Sequence, residues 1–363
     1  MNYVAIKACT LGGQNFRIGD VIPEEKLQPG AVANLVYAGV IAPVDGDIPS
    51  EGTKVEYYGT LQDILNATTN GTITLQNDIA EPLVIESGHN ITIDLNGHNI
   101  VADGTDGLVN RGVLTIKGDG VIKSTQPGYA AVANYPDAVV NIEGGTFDSA
   151  KWYTLKNMGE MVIEGGNFSV DGENQTASLI DNGWVSASDR DVPAQEGKAK
   201  LTINGGTFIG GAKTCAIVKN DDYGVMEING GTFDLTANEN VDNNSVIINW
   251  NELTINDGAF LGRRVISIGC YGADSADKGV MVVNGGSFHG TAELNGWAKG
   301  GKETGSLTIN GGEFVGPITA QNYEDGTPVY TIDIAGGKFD ADVSEFVVEG
   351  KTVTNDGEFF VVA

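Results

Sequence analysis

One phrase recurs down this chain with small edits, and it constrains the fold more than any other feature. Residues 201–208 read Leu-Thr-Ile-Asn-Gly-Gly-Thr-Phe, residues 140–147 read Val-Asn-Ile-Glu-Gly-Gly-Thr-Phe, and residues 161–168 read Met-Val-Ile-Glu-Gly-Gly-Asn-Phe. The phrase returns around Phe233, Phe260, Phe288, Phe314 and Phe339, and successive phenylalanines lie 21, 40, 25, 27, 28, 26 and 25 residues apart. A period in the twenties marks a solenoid, in which no unit can bury its apolar face alone. The gap of 40 fits either one long coil or two coils of which one has lost its marker.

The phrase also selects the kind of solenoid. Leu-Thr-Ile-Asn alternates apolar and polar, the pattern of a short strand with one buried face. Gly-Gly supplies positive φ or a close backbone approach without steric cost, and Phe then returns to the interior. No long helical period lies between the phrases. Each repeat is therefore several short strands joined by turns, and equivalent strands stack in parallel. The expected fold is all-β: a right-handed, single-stranded parallel β-helix, the hand being the usual one for parallel crossovers. About ten coils at roughly 4.8 Å per strand would make a rod on the order of 45 Å long. Asn204, Asn229, Asn256, Asn284 and Asn310 occupy the slot before the glycines, and their stacked amides are expected to form a hydrogen-bonded ladder, weakened by Glu143, Glu164 and Ala335 in the same slot.

Charge and cysteine usage narrow the function classes. A formal net charge of −27 argues against nucleic acid and anionic membrane as partners. Neither a calcium β-roll repeat nor an Asp-rich calcium loop is present, and His89, His98 and His289 are far apart in sequence, so no cofactor and no metal site is expected. Cys9, Cys215 and Cys270 are too few and too widely spaced for a disulfide framework; Cys215 and Cys270, in apolar runs, read as core residues. No signal-peptide pattern and no membrane span is evident.

Residues 1–43 lack the repeat. They read as a small α/β module: strand Tyr3–Ala8, an extended stretch at 15–23, a helix over 29–37 and a closing strand at 40–41. Residues 44–57 read as a polar linker, and 58–363 as the β-helix. Leu61, Ile64 and Leu65 have helical spacing and are expected to cap its open end. The segments Tyr3-Val4-Ala5-Ile6, Gly12-Gly13-Gln14-Asn15-Phe16, Gly19-Asp20-Val21-Ile22-Pro23 and 33–41 (Ala-Asn-Leu-Val-Tyr-Ala-Gly-Val-Ile) resemble the N-terminal segment of head-fibre proteins of tailed bacteriophages. The resemblance covers the first 43 residues and implies docking to the major capsid protein, through Tyr3, Phe16, Val21 and Tyr37, and a homotrimer on the virion surface. Residues 91–100, 336–346 and 359–362 resemble β-helical surface proteins of gut bacteria, which bears on architecture alone.

A β-helix wall that cleaves polysaccharide needs paired carboxylates, one with a raised pKa. Asp189 with Asp191, Asp221 with Asp222, and the ladder positions Asp148, Asp234 and Asp340 are the acidic candidates, but among 48 acidic residues such pairs arise by chance. Arg263-Arg264 is a lone basic pair, better read as surface charge. Trp184, Trp250 and Trp297 each follow an Asn or Asn-Gly, a combination that suits a host or mucus glycan, with packing against a neighbouring coil or subunit as the alternative. Tyr223 and Tyr271 sit in polar loops. The expected function is a non-enzymatic virion fibre or decoration protein; the alternatives are a tailspike-like glycan depolymerase and a bacterial surface adhesin.

Overall fold

The computed structural model describes residues 2–44 apart from 18, 24–25, 28–30 and 38, and residues 60–363 apart from 151, 171–175, 186–187, 239–243, 270–278, 295–304 and 321–329. The chain is a parallel β-helix. One wall is an 11-stranded sheet, stacked in sequence order from Asn70–Thr74 to Tyr330–Ile334. The other two walls interleave in a 20-stranded sheet, one built from the Phe-bearing strands and one from strands that end in Asn. The alternation of the repeated phrase places its apolar members inside: Leu201, Ile203 and Phe208 are buried, while Thr202 and Thr207 are half-buried on the outer side.

Phe147, Phe168, Phe208, Phe233, Phe260, Phe288, Phe314 and Phe339 form one continuous stack, with neighbouring ring centroids 4.5–5.2 Å apart and rings within 11° of parallel. Coil spacing imposes this geometry, because in-register parallel strands repeat every ~4.8 Å. Ile122 and Ile100 continue the column below Phe147. Phe168 stacks directly on Phe208, so the gap of 40 is one long coil. The two glycines do different jobs. At Gly206 φ is +115°, a left-handed turn, whereas a Cβ on Gly205 would lie 2.9 Å from the carbonyl oxygen of Glu164 one coil below.

Both ends are closed. Helix Leu61–Ala67, with a Thr60/Asp63 capping box, turns Leu61, Ile64 and Leu65 into the first coil. Its Gln62 accepts from Val84 N (2.7 Å) and donates to Val84 O (2.9 Å), so a side-chain amide pairs with the otherwise open strand Leu83–Ile85. At the far end, Val353–Asn355 and Phe360–Val362 form an antiparallel pair, and the latter also pairs antiparallel with Gly337–Phe339. Ahead of the solenoid, Val21–Ile22, Asn2–Ala5 and Ile41–Val44 make a three-stranded antiparallel sheet. Helix Val32–Tyr37 lies against the capping helix and strand Asn70–Thr74, and Val36 packs on the solenoid core.

The docking residues need correction. Tyr3 and Phe16 are 8% and 4% exposed and build the module's own core with Ala5, Ile22, Leu27 and Ile41, so their rings hold the module together and are not presented outward. Val21 is half-buried, and the side chain of Tyr37 lies outside the described residues, as does the linker from 45 on. Cys215 is half-buried, not a core residue, and Cys270 lies outside the described residues. Among the described residues no helix is long and apolar enough to cross a membrane.

Candidate functional site

The Asn-ended strands carry an internal ladder that the repeated phrase does not announce. Asn110, Asn134, Asn157, Asn182, Asn220 and Asn249 are all fully buried. Each Nδ2 donates to the Oδ1 of the next, over 2.7–2.9 Å. It also donates to a backbone carbonyl: Val139, Glu160, Lys200, Val225, Glu252 and Val280 in turn. The column is bounded by Ile268 above, and at its lower end Asn110 follows Ile85.

The residue before each Asn points the opposite way, out of the solenoid, and in three successive coils it is charged: Lys156, Asp181 and Lys219, in register. These outward side chains are nevertheless buried or nearly so, at 0%, 0% and 12% exposure. The cover is the connection from Gly183 to Ala199, the extra length of the long coil. Its hairpin pairs Ser188–Asp189 with Val192–Pro193, and the turn residues Arg190 and Asp191 have φ of +50° and +60°. Both angles are of the hairpin type that matches strand twist, at positions usually given to Asn or Gly. The hairpin is tied down at two points. Arg190 pairs with Asp106, whose other oxygen accepts from Ala130 N, and Asp189 Oδ2 lies 2.6 Å from Lys156 Nζ.

Beneath this strap the Lys156 ammonium touches Asp181 Oδ2 and donates to the carbonyl of Gly183 at 2.9 Å. Lys219 donates to Asp221 Oδ2 at 2.6 Å, and its ammonium lies 3.9 Å from the centroid of the half-buried Trp250 ring. Tyr153 covers the cluster from one side, its ring 5.3 Å from Lys156 Nζ. Two lysine side chains face three carboxyl groups inside the protein. Burial, with the Asp181 charge nearby, pushes the Asp221 carboxyl up to about 8 against the pull of Lys219. Burial and the carboxylates of Asp181, Asp221 and Asp189 push the Tyr153 hydroxyl up as well. The surrounding carboxylates hold Lys156 and Lys219 above the usual lysine value although burial opposes this.

The aromatic reading is corrected in part. Trp184 is fully buried with Met158 and Ala199 under the same connection, edge-on to Tyr223, so its ring cannot stack on a sugar. Trp297 and Tyr271 lie outside the described residues. The exposed rings are ones the sequence did not single out: Trp152, 45% exposed at φ +80°, and Tyr129, 37% exposed. Asp189 and Asp221 fall in one cluster, a juxtaposition invisible in sequence because 32 residues separate them. Asp148 pairs with Lys123, and Asp234 caps its own turn through Thr236. Arg263 is exposed and Arg264 half-buried on strand Ala259–Ile268; His289 is exposed, His89 and His98 half-buried. Among the described residues no group of His, Cys, Asp and Glu is placed to hold a metal ion. No protein-family model, no curated protein and no solved structure matches the chain.

Proposed function

We propose that the protein is a display rod without catalytic activity: a virion fibre or decoration protein of a tailed bacteriophage, held to the capsid by its N-terminal module. The observation that carries this reading is the unbroken stack, closed at both ends. A column of eight phenylalanines and two asparagine ladders run through consecutive coils, and a helix and an antiparallel pair cover the ends. Such a stack resists bending and end-to-end addition, which is what a spacer requires. The charge cluster supports the non-enzymatic side of the reading. Its carboxylates are spent on lysines beneath a pinned strap, whereas a depolymerase needs carboxylates that a sugar can reach. The capsid assignment rests on the resemblance of residues 3–41, and weak glycan contact falls to the exposed Trp152.

The test separates attachment from display. Residues 1–50 fused to an unrelated soluble protein are expected to co-sediment with purified fibreless capsids, and the rod lacking them is expected to stay in the supernatant while keeping its far-ultraviolet spectrum. Because Val36 packs on the solenoid core, the truncated rod should melt slightly lower than the full chain. Sedimentation of the truncated rod without the fusion would transfer attachment to the solenoid and end the docking assignment.

A further inference from the structure

We propose that Lys156 and Asp181 condense to an intramolecular amide that staples two adjacent coils, with Asp189 of the strap as the proton shuttle. The two residues are in-register partners on neighbouring parallel strands, Leu155–Asn157 and Thr176–Asn182. Both side chains are wholly buried, and their reactive ends touch. A third group needed for such chemistry is already on the lysine nitrogen: Asp189 Oδ2, 2.6 Å away and carried by a different element. The remaining oxygen of Asp181, Oδ1, is buried without a hydrogen-bond partner among the described residues, so Oδ2 alone carries the carboxylate's contact with the lysine.

The energetic argument is one of desolvation. Each ion taken into a protein interior carries a penalty of several kcal/mol, which pairing offsets only when every lone pair is satisfied. Here the orphaned Asp181 oxygen shows that it is not. Condensation removes one positive and one negative charge from the driest part of the cluster. Asp189 is left at the partly open edge, 18% exposed, where water reaches it, and Lys219 keeps Asp221. The neighbouring pair Lys219–Asp221 is a poorer candidate, because those residues are two apart on one strand end and the ammonium is held over the Trp250 face.

The step balances without an oxidant or a co-reactant. Asp189 takes a proton from the Lys156 ammonium, and the freed nitrogen lone pair attacks Asp181 Cγ. The new Nζ–Cγ bond forms as one Cγ–O bond breaks. Two protons in all pass from the nitrogen to the departing oxygen, which leaves as water, and Asp189 returns to the carboxylate. The strap then has a stated task. Its Arg190–Asp106 anchor holds Asp189 on the nitrogen.

Intact mass spectrometry of the purified full-length chain is the test. The expected mass is below the sequence mass by one water, and tandem spectra should join the peptides containing Lys156 and Asp181. Lys156→Arg keeps a cation but removes the nucleophile, and should restore the full mass. Asp189→Asn leaves both reacting groups in place and should leave much of the chain at full mass, approaching the wild-type value only on long incubation. A succinimide at an Asp-Gly step also loses water, but it persists in Lys156→Arg and is opened by hydroxylamine, whereas the amide resists it. Wild-type protein at full sequence mass after prolonged incubation, or a water loss unchanged by Lys156→Arg, overturns the proposal; neither outcome depends on a variant that fails to fold or on the capsid reading.

Discussion

The two asparagine ladders use the same side chain and the same bond in different surroundings. The inner one, Asn110 to Asn249, is sealed in the core. The outer one runs through Asn204, Asn229, Asn256, Asn284 and Asn310, exposed or half-exposed along one edge of the rod, with bonds of 2.7–2.9 Å. Bond length does not distinguish them. What differs is the alternative open to each amide when its neighbour is removed: water stands ready at the outer ladder, and nothing does at the inner one. A hydrogen bond that exchanges freely with water contributes little net free energy, whereas a buried amide left unpaired costs its full desolvation. The inner ladder therefore specifies register between coils, and the outer one lines up turns that the glycines already shape.

Four measurements break or sharpen this contrast. The Phe column sets the upper end: Phe208→Ala removes a ring stacked on both faces and should destabilise the rod by about 3–5 kcal/mol in denaturant unfolding. Asn182→Ala comes next. It strips partners from Asn157 Nδ2, Asn220 Oδ1 and Val225 O, and should cost roughly 2–4 kcal/mol by the same measurement. A loss no larger than that of an outer-ladder variant would dissolve the distinction.

The charged residues outside the inner ladder give the third measurement. Asp221 has its carboxyl raised to about 8 by burial, against an ordinary aspartate value of 3.8 when unfolded. Between these values the folded state holds a proton that the unfolded state has released. The contribution to stability is therefore full below the lower value and lost as pH rises through the upper one. Melting temperatures of wild type and Asp221→Asn, compared across this range, should diverge, with the wild type falling relative to the variant as pH rises. Parallel curves would place Asp221 among ordinary carboxylates. The smallest effect belongs to the outer ladder. Asn256→Ala removes its bonds to Asn229 and Asn284 and should change stability by about 0.5 kcal/mol or less, since water replaces the partners.

The same contrast explains which features could be read from the sequence. The outer ladder was visible because its Asn sits in a fixed slot before Gly-Gly. It proved more tolerant than expected: Glu164 joins it by accepting from Asn204 Nδ2 at 3.1 Å. The inner ladder repeats at 24, 23, 25, 38 and 29 residues with dissimilar neighbours, from Val109 and Arg111 to Ile248 and Trp250, so a single chain gives no phrase to align. An Asn two residues before Gly, as in Asn110-Arg111-Gly112 and Asn157-Met158-Gly159, was the available signal; a Cβ on either glycine would strike a carbonyl oxygen of the coil below within 2.6 Å. For Trp184 the packing alternative holds and the glycan one does not. An aromatic beside Asn-Gly suggests a surface loop, but this loop folds back over its own ring.

By itself the sequence determined the solenoid: apolar alternation and two glycines per turn settle which side chains face inward, because inward and outward follow from the local strand period. It also marked the capping helix, since Leu61, Ile64 and Leu65 share one face. Tertiary structure alone decided the fate of the outward positions. Lys156 and Asp181 point away from the core by the same alternation that leaves Val84 and Val109 half-exposed in the first coils, and the return of the 183–199 connection across them makes that wall an interior. No local pattern encodes such a cover, for it depends on where a long loop, pinned 84 residues away at Asp106, comes to rest.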